Sequence, residues 1–306
     1  MNTSQSHRVS LEITDDRPRP RSLVYVLLVC ILASAATIYG LGTAHPYRLV
    51  SSLTVATWRA QDAVTLVLMP VLLWAELRAR RGSLPAHVVA VGIYLWLAYS
   101  FAHLAIGAPV NAMFLGYVAI LGLSAFAALD GLLRVDMAAV GPAFRDAPRR
   151  PASWFLIIAG SGIAVLWLSD IVPALPGDLP ANVHLSELPN PTWVLDLAWV
   201  IPMAIGAGLM LRRRHPAAPV VAGATLVMLL VLSVAMLTVT PFALAGGLGD
   251  DPESVAQMVA FTVIFLLLGA IEVWLIALGA RRMDGVDPDW LRSGWWPGRD
   301  VGHSAS

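Results

Sequence analysis

The 306-residue chain contains no lysine, and all 20 of its basic residues are arginine. A Walker-type phosphate lysine and a Schiff base to retinal or pyridoxal phosphate are therefore excluded. Cysteine occurs once, as Cys30 inside an apolar run, which excludes an internal disulfide and a cysteine metal cluster. Charge is scarce too: 13% of residues are charged, against about 25% in a soluble globular chain. The formal net charge is zero, so nothing points to nucleic acid. Also missing are His-Glu-x-x-His, Gly-x-Ser-x-Gly and a glycine-rich phosphate loop, which removes the zincin, serine-hydrolase and nucleotide-binding readings.

Hydrophobic residues, by contrast, make up 58% of the chain, and the mean hydropathy is +0.71. They gather in eight runs, at about 23–44, 60–77, 85–106, 112–133, 152–172, 192–211, 217–240 and 255–280. Each approaches the roughly 20 residues that a helix rising 1.5 Å per residue needs to cross about 30 Å of hydrocarbon. Lipid offers the backbone no hydrogen-bond partner, so each run must be helical, and the alternation of a β-barrel strand is absent. The sequence predicts an all-α, polytopic transmembrane helical bundle of eight spans over 23–283. Residues 1–22 and 284–306 are expected to be tails, the first disordered, with Trp290, Trp295 and Trp296 resting at the bilayer surface. Ala33, Ser34 and Ala35 would suit signal-peptide cleavage, but the apolar run continues to Leu41, which favours a retained first span. The connections between spans are too short to fold alone, so no soluble catalytic domain is expected.

Arginine placement predicts orientation. With the N-terminus in the cytoplasm, 18 arginines fall on the inner side and only Arg48 and Arg59 outside. The expected location is a bacterial cytoplasmic membrane, with both termini inside.

Spans two and six carry the same marks in the same order: Thr57, Trp58, Asp62, Pro70 and Arg78 against Thr192, Trp193, Asp196, Pro202 and Arg212. In both, the arginine follows the aspartate by 16 residues. Phe114, Gly122 and Arg134 recur at the same separations as Phe261, Gly269 and Arg281. This pattern suggests a parallel four-plus-four internal repeat, with halves 23–134 and 152–283. Repeats of this kind occur in carriers.

A charge inside hydrocarbon costs about 2.5–3.5 kcal/mol on insertion scales, so each one needs a reason. Glu76 precedes Arg80 by four residues and Asp130 precedes Arg134 by four, a favourable helical ion-pair spacing. Asp170 closes span five beside water. The charged or titratable residues left over are Asp62, His103, Asp196 and Glu272. Sixteen residues above an arginine, Asp62 and Asp196 lie about 24 Å from the inner interface. His103 and Asn111 share that level, and Gln61 adjoins Asp62. Trp96, Tyr99, Ser100 and His103 follow helical spacings and form one polar stripe on span three. The functional reading is an outward-facing pocket for an ion or proton. The structural one is a pair of acids favoured by their helix N-termini and a hydrogen-bonded histidine. Glu272 is the deepest charge, about 13 Å inside the membrane from Arg281. No catalytic or metal-ligating residue is assigned, and no cofactor is indicated.

Residues 60–81, Tyr99, the Gly107–Asn111 hairpin, Phe114 to Ala119 and Asn190 to Asp196 together resemble a group of multi-pass bacterial membrane proteins, chiefly from high-GC genomes. The resemblance spans about 55–130 and 188–215 and implies a membrane location without implying an activity. Three function classes follow: a non-catalytic membrane component, a carrier or channel for a small solute or ion, and a membrane-embedded enzyme with an Asp/His acid-base or metal site. The bilayer is the one partner implied outright, and the oligomeric state is left open.

Overall fold

The computed structural model describes residues 21–144, 149–176, 190–250, 252–284, 286 and 290. The expectations for the tail before residue 21 and for Trp295 and Trp296 lie outside the described residues. Among the described residues, eight helices are long and apolar enough to cross a membrane. They are α1 (Leu23–Gly42), α2 (Ser52–Ala79), α3 (Leu84–Gly107), α4 (Phe114–Leu133), α5 (Arg150–Ala174), α6 (Pro191–Arg212), α7 (Ala218–Ala245) and α8 (Pro252–Met283). No strand occurs among the described residues. The chain is thus an all-α, multi-pass membrane protein.

The helix ends depart from the apolar windows in an instructive way. Helix α2 begins at Ser52 rather than near residue 60. Its first turns carry Thr54, Thr57, Arg59, Gln61 and Asp62, which break an apolar window without breaking a helix. Ser51 caps it by accepting the Thr54 N–H at 3.2 Å. Hydrophobicity locates the part of a helix in lipid; caps and backbone bonds locate its ends.

Helix α3 is the axis of the molecule. Residues from Leu84 to Leu104 are buried along it almost without interruption, and it packs on α2, α4 and α7. At Gly92 a β-carbon would lie 2.5 Å from Val227 and 2.8 Å from the Ala224 carbonyl, so only glycine lets α3 and α7 approach this closely. Helix α1 lies on α2 and α4. The peripheral α5 is held by α6, where Ser153 Oγ donates to the Gly208 carbonyl at 2.8 Å. Helix α8 is held by α7, with the Thr240 and Thr262 hydroxyls 3.0 Å apart. Val24, Val67, Phe126, Val165 and Leu266 point outward, the arrangement lipid-facing surfaces require.

The suggested four-plus-four repeat is not confirmed. Helix α1 closes against α4, whereas α5 is held mainly by α6 and α8 mainly by α7. Tryptophan, proline and arginine favour helix ends whatever the ancestry, so matching marks need not mean matching packing.

Candidate functional site: two polar layers and a cleft

The helix ends gather at two poles. One collects the start of α1 and the ends of α2 and α4, with the neighbouring turns. It is rich in arginine. The other, around residues 45–62, 99–111 and 190–196, is poor in it.

At the arginine-poor pole, Asp62 and Asp196 are both buried, at 2% and 5% exposure. They are held separately. The Tyr47 hydroxyl, from the short helical turn His45–Tyr47, donates to Asp62 Oδ2 at 2.6 Å. A β-carbon at Gly40 would lie 2.0 Å from that oxygen, so α1 passes directly against the carboxylate. Burial first, then the adjacent Asp62 carboxylate, raises the Tyr47 hydroxyl well above the usual phenol range and keeps it a donor. Asp196 receives two donors from two other helices: Tyr99 Oη to Oδ1 at 2.8 Å and Trp167 Nε1 to Oδ2 at 2.7 Å. Here α6 widens into a π-turn over Asp196–Val200, where the Ile201 N–H bonds back to the Asp196 carbonyl. Pro202 follows immediately, and its ring cannot sit against the carbonyl four residues before it.

The polar stripe expected on α3 exists, but it faces other helices. Trp96 Nε1 donates to Thr65 at 3.0 Å, and Ser100 Oγ donates to Gln61 Oε1 at 3.1 Å. His103 is buried, with Nδ1 3.1 Å from the Tyr99 carbonyl and Nε2 3.2 Å from the Thr192 hydroxyl. A carbonyl only accepts, so Nδ1 carries a proton, and in the neutral ring Nε2 accepts from Thr192. Asn111 serves the α3–α4 turn, accepting the Met113 N–H and donating to the Pro109 carbonyl, both at 2.9 Å. The structure therefore joins Tyr99, His103 and Asp196 in one set and Gln61 and Ser100 in another, with Asp62 and Tyr47 forming a third. Among the described residues, no three His, Cys, Asp or Glu side chains gather as metal ligands would.

Glu272 belongs to none of these sets. It is buried in α8 beside Ser233 of α7, and among the described residues its Oε2 has no partner.

At the arginine-rich pole the local pairing expected from sequence is half right. Arg134 does pair with Asp130, at 2.7 Å. Glu76, however, pairs with Arg21 at 2.7 Å, while Arg80 turns its guanidinium to the Arg21 carbonyl. Arg21 also reaches Asp130 at 3.1 Å, donates to the Ala127 carbonyl and stacks 4.9 Å from the Tyr94 ring centre. Burial lowers its basicity, but the carboxylates of Glu76 and Asp130 outweigh that and the net shift is upward. Trp290 is not at the surface. It is fully buried, 4.8 Å ring to ring from His87, with Nε1 donating to the Gly82 carbonyl at 2.8 Å. Arg21 and Trp290 both belong to the packed body rather than to tails at 1–22 and 284–306, which are expected because no hydrophobic periodicity marks either residue.

Beside this pole opens an apolar cleft of about 100 Å³, walled by α3, α7 and α8 and bounded by Phe144, Arg149 and Arg282. Sequence reasoning missed it, together with Tyr47 and Trp167. The available hint was general: a buried carboxylate needs donors, and tyrosine and tryptophan carry them into apolar surroundings. No protein-family model, no curated protein and no solved structure matches the chain.

Proposed function

We propose that the chain is a non-catalytic component of a bacterial cytoplasmic membrane, with both ends on the inner side. The orientation rests on the arginine distribution. The function rests on one observation: Asp62, Asp196, His103 and Gln61 each meet a hydrogen-bond partner within the protein. The polar layer holds helices in register rather than presenting groups to a substrate. An acid-base enzyme would need a carboxylate facing an imidazole, whereas both ring nitrogens of His103 face Tyr99 and Thr192. A carrier or channel is the second reading, favoured by the buried, unpartnered Oε2 of Glu272.

Flux into sealed proteoliposomes distinguishes the two. With proton-, sodium- and potassium-sensitive dyes, the protein is expected to carry no more than protein-free vesicles. An ion flux that disappears in Asp62→Asn, Asp196→Asn or Glu272→Gln, while the variant keeps its unfolding midpoint, overturns the reading.

A further inference from the structure

The apolar cleft beside the arginine-rich pole has a direction. Along α8 its wall runs from Leu275 to Met283, about 12 Å at a helical rise of 1.5 Å per residue. Its deep walls are apolar: Val88 from α3, Leu226 and Val227 from α7, and Leu275 and Ile276 from α8. Arg149 and Arg282 stand at its other end, beside the last turn of α8 and the start of α5. In the described segments 149–152 and 281–284, four arginines (Arg149, Arg150, Arg281 and Arg282) face one acid, Asp284. Arg149 is partly engaged, donating from Nε to the Phe144 carbonyl at 2.9 Å, whereas Arg282 is exposed.

A cation-rimmed mouth at the end of a span, with an apolar floor toward its middle, matches the two-part chemistry of a phospholipid. A peptide would meet no free polar backbone partners in that floor, and an apolar solute would gain nothing from the arginines. We propose that the cleft is a binding site for an anionic phospholipid, one acyl chain lying along α8 from Met283 toward Leu275 and the phosphate at Arg282. Basic pockets between helix ends select anionic headgroups in this way. The inference is independent of whether the polar layer is structural or transports an ion.

Gly279 supplies the means of testing it. It lines the cleft, and a β-carbon there meets nothing within 4 Å among the described residues, so leucine at this position enters the open space instead of displacing a neighbour. Gly162 on α5 is equally open but lies outside the cleft, and Gly162→Leu is the matched control. Delipidated protein in detergent is titrated with phosphatidylglycerol or with phosphatidylcholine of the same chains, and bound lipid is counted by native mass spectrometry. The expected result is one retained phosphatidylglycerol, bound at least about fivefold tighter than phosphatidylcholine, the factor that about 1 kcal/mol per arginine supplies. Arg282→Gln is expected to remove about that factor, Gly279→Leu to abolish retention, and Gly162→Leu to leave it intact. Equal binding of the two lipids, or full retention by Gly279→Leu with an unchanged unfolding midpoint, overturns the proposal. Should Gly279→Leu fail to fold, Arg282→Gln decides alone, since its side chain is exposed.

Discussion

The two poles of this bundle bury polar groups by different means. At the arginine-rich pole, full charges meet full charges: Arg21 bridges Glu76 and Asp130, and Arg134 shares Asp130. At the other, Asp62 and Asp196 meet the hydroxyls and ring N–H of Tyr47, Tyr99 and Trp167. The difference follows from chain geography. Positive residues collect on one side of a membrane protein, so acids near that side find guanidinium partners. Acids near the other side must use whatever neutral donor the packing delivers. The two layers should therefore fail differently when a partner is removed.

The largest effect is expected from Arg21→Ala. Glu76 loses its ion-pair partner while remaining 5% exposed at its side chain, and an uncompensated buried charge costs about 3–5 kcal/mol. Unfolding midpoints in mixed micelles measure this; a loss below about 1 kcal/mol would mean that the buried pair contributes no more than a surface one. An intermediate effect is expected from Asp196→Asn. The amide oxygen keeps the Trp167 N–H, which can only donate, while the NH₂ donates to the Tyr99 hydroxyl oxygen; the Tyr99 proton then loses its acceptor, and about 1–3 kcal/mol is lost. The smallest belongs to Tyr47→Phe, which removes one neutral donor from Asp62. Interhelical hydrogen bonds in membranes average about 0.6 kcal/mol and reach about 1.7. If Tyr47→Phe proved as damaging as Arg21→Ala, the contrast between the poles would collapse. Crossing Tyr47→Phe with Asp62→Ala in a double-mutant cycle would then show whether the hydrogen bond itself carries the excess.

Asp62 and Asp196 also show how far a motif can be trusted. Their distance from the following arginine was legible in the sequence, and both are buried at the arginine-poor pole as that distance implied. Their surroundings were not. Tyr47 comes from the turn before α2, while Tyr99 and Trp167 come from α3 and α5, so equal spacing along two helices led to unequal contacts. The stripe on α3 was found as a periodicity, but periodicity reports only that residues share a face. Whether that face meets a cavity or another helix depends on the neighbour. Glu76 teaches the same lesson. Spacing offered Arg80 four residues on, yet Arg21, 55 positions away, occupies its carboxylate.

What the sequence determined by itself was the eight helices and their all-α class. A span is a local property: about 20 apolar residues must close their own backbone hydrogen bonds wherever they sit in lipid. The scarcity that marks this chain, with no lysine, one cysteine and little charge, was equally local and removed whole chemistries. Only the tertiary structure decided which donor each buried acid meets, that Arg21 and Trp290 belong to the packed body, and that α3, α7 and α8 leave a cleft with arginines at its mouth. Those facts depend on distances between segments far apart in the chain. Such distances are set by how helix surfaces fit, and no window along the sequence contains them.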